Sequence, residues 1–196
     1  MIRLLQFLGF GLSLALVATE AGAHAGAGAH GGFASGISHP FLGLDHVIAM
    51  LAVGLWAARL GGAAVWVLPL VFALVMAFGA ALGLLGMAIP AVEEAIALSG
   101  VVLGLFIALA LKAPVWVAAG IVGGFAMFHG HAHGTEFPGG MGLSGYASGV
   151  LVGTALLHLA GVGLARALRG ARGARGLQGT GAGITLLGGA ALLGLV

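Results

Sequence analysis

The sequence predicts an all-α polytopic membrane protein, a six-helix transmembrane bundle preceded by a cleavable signal peptide. Three observations predict it. The chain is 61% hydrophobic and only 6% charged, whereas a soluble domain is about a quarter charged. From residue 40 onward it divides into six apolar runs, each near the ~20 residues that cross ~30 Å of hydrocarbon. Its 39 glycines include several at small-xxx-small spacing, which lets membrane helices approach closely.

Composition also excludes function classes. With no cysteine, disulfides and thiolate metal sites are ruled out. The net charge is +2, but the basic residues are not grouped as a nucleic-acid-binding face. No G-x-x-x-x-G-K-[ST] loop is present, so the chain does not hydrolyse a nucleotide in the P-loop manner.

Residues 1–23 read as the signal peptide: Arg3 gives the positive start, Leu4 to Ala18 the apolar core, and Ala21-Gly22-Ala23 the small-residue cleavage site. An uncleaved first helix is the competing reading, but this core is short of the ~20 residues a span needs. Cleavage leaves His24 at the head of a periplasmic leader, residues 24–39. Its amine, His24 and His30 are a capture point for metal; the alternative is a flexible glycine-alanine segment with incidental histidines.

The transport domain, residues 40–196, is expected to place its helices at 41–58, 64–86, 91–111, 114–132, 143–167 and 177–196. Breaks fall at Gly61-Gly62, Pro90, Lys112 to Pro114, Pro138-Gly139-Gly140 and Arg169 to Gly176. Gly79/Gly83, Gly100/Gly104 and Gly145/Gly149/Gly153 read as packing faces. With the N-terminus outside, Arg59, Lys112, Arg166, Arg169, Arg172 and Arg175 all fall on the cytoplasmic side, as the positive-inside rule requires. Trp56, Trp66 and Trp116 then read as an interfacial belt at the inner helix ends.

Against this apolar background the ionisable residues stand out, because each is costly in hydrocarbon and points to function. In one helix His39, His46 and Met50 would share a face, being seven and four residues apart. Asp45 lies about 100° round from His46. His129, His133 and Glu136 share a face at i, i+4, i+7, with His131 pointing away. Glu93 and Glu94 open the third helix at the same outer depth. Imidazole nitrogen with carboxylate oxygen suits a divalent transition metal. The expectation is that chelating groups from the first, third and fourth spans meet around one cation near the periplasmic surface. The bland alternative is an Asp–His pair that only locks helices together. His158 in the fifth helix is an exit ligand or a structural hydrogen-bond donor, and Met50 and Met127 are relay ligands or core filling. His129 and His133 have zinc-protease spacing, but Gly130 stands where the protease glutamate would follow.

His39-Pro40-Phe41-Leu42-Gly43-Leu44-Asp45-His46, followed by Met50 and Val53-Gly54, resembles the first-helix signature of the HupE/UreJ proteins. Val92-Glu93 with Ile96-Ala97 and Ser99 is similar to their third-helix motif, and Phe128 to Glu136 to their fourth. The resemblance spans essentially the whole chain. It implies a secondary permease for Ni²⁺ or Co²⁺, often encoded beside nickel hydrogenase or urease genes. It also implies His39, Asp45, His46, Glu93, His129, His133 and Glu136 as metal residues; residue type and position alone add His24, His30, Met50, Glu94, His131 and His158 as secondary candidates. The partners are then a divalent ion, as cargo rather than cofactor, and the bilayer of the bacterial inner membrane. Two further readings share these residues: an intramembrane metal-dependent hydrolase, and a metal sensor or storage protein without transport.

Overall fold

The computed structural model describes residues 29–168 and 170–196. They form seven α-helices and one 3₁₀ turn, with no strand among the described residues. The helices are α1 Ala29–Ser38, α2 Leu44–Leu60, α3 Ala64–Leu84, α4 Val92–Ala108, α5 Val115–Thr135, α6 Leu143–Ala167 and α7 Gly170–Leu192; the 3₁₀ turn His39–Phe41 links the first two. The predicted signal peptide and His24 lie outside the described residues.

Helices α3, α5 and α6 are each long and apolar enough to cross a membrane. The segments Gly32–Phe41 and Leu44–Leu60 meet at an 80° bend and have, as a pair, the length and apolarity of a broken span or a re-entrant loop. The molecule is a multi-pass membrane protein. Helices α2 and α4, with 17 residues each, reach about 25 Å at 1.5 Å per residue.

Three sequence expectations need correction. Part of the expected leader, residues 29–38, is a helix rather than a flexible segment. It contains three glycines, each worth about 1 kcal/mol against a helix, so packing must hold it. A methyl at Gly36 would overlap the Tyr146 backbone, and one at Gly149 would overlap Phe33. Without those methyls α1 and α6 touch backbone to backbone. Secondly, the Arg169–Gly176 stretch, expected as a break, enters α7 from Gly170 onward; arginine is a good helix former, and its charge alone stops no helix. Thirdly, Trp56 is not interfacial. It is fully buried, its Nε1 donates to the Leu111 carbonyl at 3.3 Å, and its ring lies 5.0 Å from Phe106. Trp66 and Trp116 are 70% and 78% exposed and suit a lipid interface.

The remaining helices pair through small residues: α3 with α5, α4 with α7, α2 with α6, and α2 with α4. Lipid tails are as apolar as leucine, so this association comes from close van der Waals fit rather than hydrophobic burial. Gly79 and Gly83 seat α3 on the backbone of α5, Gly54 and Gly161 seat α2 and α6 on each other, and Gly100 and Gly104 seat α4 on α7. Gly104 gives a test remote from the histidines, since a Cβ there would lie 2.6 Å from the Thr185 amide nitrogen. Gly104→Val is expected to destabilise the α4–α7 pair by about 1–3 kcal/mol. The check is the thermal unfolding midpoint in detergent, which should fall by about 2–4 °C per kcal/mol; an unchanged midpoint would refute the close fit.

Candidate metal centre

The helix-breaking step that builds the centre is at Gly43, whose extended backbone (φ −99°, ψ 123°) precedes α2. It turns the chain through the 80° bend, so His39 and His46 do not share a helix face as expected. The bend brings both rings against α5 instead. His39 and His133 have ring centroids 4.9 Å apart, His46 and His133 5.0 Å, and His46 and His129 5.0 Å.

Carboxylates flank this run of imidazoles at both tiers. His39 Nε2 donates to Glu136 Oε2 at 3.0 Å. Asp45 Oδ1 accepts from the His46 amide at 2.8 Å and from His46 Nδ1 at 3.1 Å. Gly43 allows this second pair. A Cβ there would stand 2.8 Å from Asp45 Oδ1 and 3.0 Å from His46 Nδ1. Asp45 lies in the first turn of α2, where the helix dipole favours an anion, and His133 lies in the last turn of α5, where it favours a cation.

What makes the cluster chemically ready is its unspent nitrogens. His46 Nε2, His129 Nε2 and both nitrogens of His133 are buried without a hydrogen-bond partner. Orphaned buried polar atoms are costly, about 1–3 kcal/mol each, and a cation would satisfy them. His129 Nδ1 donates to the Phe125 carbonyl at 3.0 Å, which fixes the tautomer that leaves Nε2 a lone pair. His39, His133 and Glu136 each offer one donor atom, all within 4.8 Å of one another. Metal–ligand bonds of about 2.0–2.2 Å allow donor pairs about 4.4 Å apart across an ion, so a small closure completes this triad.

Among the described residues, the donor atoms that lie within 4.8 Å of one another are those of His39, His133 and Glu136, while His129 lies about 10 Å from Glu136 along α5 at 1.5 Å per residue. The cluster has two tiers, an outer His39–His133–Glu136 and an inner Asp45–His46–His129, with the His46 ring between His133 and His129.

The other candidates lie apart from it. Glu93 and Glu94 are exposed at the start of α4; Glu93 is within electrostatic reach of Asp45, His46 and Glu136 but makes no hydrogen bond or ion pair among the described residues. His131 faces away and donates from Nε2 to the Met87 carbonyl at 2.7 Å, tying α5 to the loop after α3. Met50 is fully buried in the apolar core. His30 sits in the first turns of α1, and His158 lies on α6.

Sequence reasoning missed three residues. Tyr146, the one tyrosine of the chain, sets its ring 5.6 Å from His39 with its hydroxyl buried and unpartnered; its singularity was a readable signal. Gly43 lay inside the quoted motif without a role. Phe72, whose ring lies 5.5 Å from His129, carries no signal, being one aromatic in an apolar run.

The His39 hydrogen bond holds the Glu136 carboxyl below its usual value of 4.5. A depressed carboxylate keeps its pairing above that range and loses it only as pH falls through the lowered value. Glu136 therefore stays ionised at pH 5.5. In a Ni²⁺-binding titration at pH 7, Glu136→Gln is expected to lower affinity, because it removes an ionised donor and the charge beside His39. Unchanged affinity would take Glu136 out of the outer tier.

Fold and site together define a class: a multi-pass all-α membrane protein with a histidine–carboxylate cluster around buried imidazoles. The comparisons refine it. The family model for the HupE / UreJ protein matches residues 12–192. Protein HupE of Rhizobium leguminosarum bv. viciae is 47% identical over 183 residues, covering 93% of this chain and 96% of that protein. The chain belongs to the HupE/UreJ family, a transport-type family associated with hydrogenase and urease and not a family of enzymes. No solved structure matches the chain.

Proposed function

We propose that the protein is a secondary permease that imports Ni²⁺, with Co²⁺ as the alternative cargo, across the bacterial inner membrane for metalloenzyme maturation. The observation that carries this reading is the run of four imidazoles, flanked by Asp45 and Glu136, in which buried nitrogens of His46, His129 and His133 have no hydrogen-bond partner. Six spans accommodate it, α2 to α7, with the mature N-terminus periplasmic and the arginines cytoplasmic. A hydrated ion exchanges waters for His39, His133 and Glu136 at the outer tier, then passes to His46 and His129, where Asp45 offsets its charge. Imidazole donors favour a borderline metal over Mg²⁺ and Ca²⁺, which prefer oxygen shells. Glu93 and Glu94 raise the local cation concentration at the rim.

No nucleotide is required. Moving a divalent ion inward releases about 4–5 kcal/mol per 100 mV, twice the single-charge value. Purified protein in vesicles should therefore take up radiolabelled nickel faster when the interior is made negative. Saturable binding with no influx at any potential would defeat the permease and leave a sensor or storage role.

A further inference from the structure

Below the inner tier the structure continues in a direction the family motifs do not cover. The Phe72 ring of α3 touches two imidazoles, His129 at 5.5 Å and His158 of α6 at 4.9 Å, edge-on to each. His158 is 2% exposed and its Nε2 has no hydrogen-bond partner. A histidine that only braced two helices would spend that nitrogen on a neighbour's carbonyl. One turn before it, Thr154 is also buried, with its hydroxyl 3.8 Å from Met76 Sδ across the seam between α3 and α6. Residues i and i+4 share a helix face, and both Thr154 and His158 line one cavity of about 250 Å³ with Trp66, Pro69, Ala73 and Arg166. A second cavity of about 180 Å³ lies at the other end of the same seam, lined by His133 and Tyr146 and reaching Met76. The α3–α6 seam is thus hollow at both ends and shut between them by Phe72 and the Met76–Thr154 contact.

We propose that His158 and Thr154, which share the lower cavity, form an inner cation station on the cytoplasmic side of the centre, and that Phe72, with the Met76–Thr154 contact, is the barrier an ion passes to reach it. The inference rests on the permease reading for its direction of travel. The donors are imidazole nitrogen and hydroxyl oxygen, with water completing the shell, a set that accepts a borderline divalent metal. Its charge environment differs from the outer tiers. They hold Asp45 and Glu136, whereas the lower cavity is lined by no carboxylate and has the exposed Arg166 among its walls. A doubly charged ion is held more weakly where nothing neutralises it, so affinity falls along the route and release into the cytoplasm follows. Phe72 presents the apolar ring that keeps the two stations from forming one continuous polar channel.

The test uses full-length protein purified without a polyhistidine tag. Equilibrium dialysis against NiCl₂ should find one more Ni²⁺ per chain at saturation in wild type than in His158→Gln, with the tighter binding phase unchanged. Thr154→Val, which keeps the side-chain shape, should weaken that same last ion. In vesicles His158→Gln should cut nickel influx at least tenfold, and Phe72→Ala should raise it severalfold. Equal ion counts in wild type and His158→Gln would overturn the inner station, as would loss of the tight phase in His158→Gln, which would mean that the residue supports the outer tiers through Phe72. Unaltered influx in Phe72→Ala would overturn the barrier. Because the ion count is read without flux, a wild type that fails to transport would sink the permease reading while the count still judged the station.

Discussion

Replacing His46 with alanine is expected to reduce nickel uptake by about 100-fold or more, beyond the 10–100-fold that losing a mere supporting residue of a metal site costs. The reason is position. His46 is the one ring whose centroid lies 5.0 Å from both His129 and His133, so it touches the last imidazole of the outer tier and the only other imidazole of the inner one. Its Nε2 is buried and unpartnered, whereas Nδ1 is committed to Asp45. Truncation removes the bridging donor, so that no imidazole stands between His133 and His129 and an ion must rehydrate to move from one to the other. Alanine is the best helix former, so α2 itself is not weakened, and equal membrane abundance is the control. His39→Ala should be milder, because its side chain is 21% exposed and water can replace it at the rim. The measurement is the initial rate of radiolabelled nickel accumulation; a His46→Ala rate within twofold of wild type would remove the inner tier from the route.

What the sequence made legible follows from which interactions are local. The apolar runs declare α3, α5 and α6 because a helix in lipid must satisfy every backbone group within itself, and length and composition alone decide that. The i, i+4, i+7 spacing of His129, His133 and Glu136 is likewise local, and these residues do share the inward face while His131 turns to Met87. Helix α1 was not legible. Its residues Ala29–Ser38 have poor helix propensity, and only the glycine face of α6 gives them a reason to be helical. The bend at Gly43 was hidden for the same reason: a glycine before Leu-Asp-His reads equally as a helix residue or a break. Misreading it put His39 on the wrong face, although the contact of His39 with the centre survived by another route. Phe72, Met76 and Thr154 were invisible because apolar or weakly polar residues in a membrane helix acquire a role only from what stands opposite them.

Asp45→Asn separates orientation from charge, and it is the second large effect. In the native pair one carboxylate oxygen accepts two hydrogen bonds, from the His46 amide at 2.8 Å and from His46 Nδ1 at 3.1 Å. The second bond fixes the proton on Nδ1 and so frees Nε2 for metal, and the negative charge makes that nitrogen more basic. Asparagine is nearly the same shape and its carbonyl oxygen can accept the same bonds, so the ring stays where it is. The charge is lost. Nickel affinity is therefore expected to fall about 10–100-fold, seen as a raised half-saturation concentration for uptake, while the maximal rate at high nickel stays near wild type. His46→Ala should lose both, and no nickel concentration should restore it. Asp45→Glu should not be a benign replacement either. Gly43 leaves no slack, since even a Cβ there would come within 2.8 Å of the Asp45 carboxylate, and the extra methylene would push the oxygen off the His46 ring. If Asp45→Asn instead abolished the maximal rate and left half-saturation unchanged, the carboxylate would be acting on the moving ion during transfer, and its role as the partner that holds His46 would be wrong.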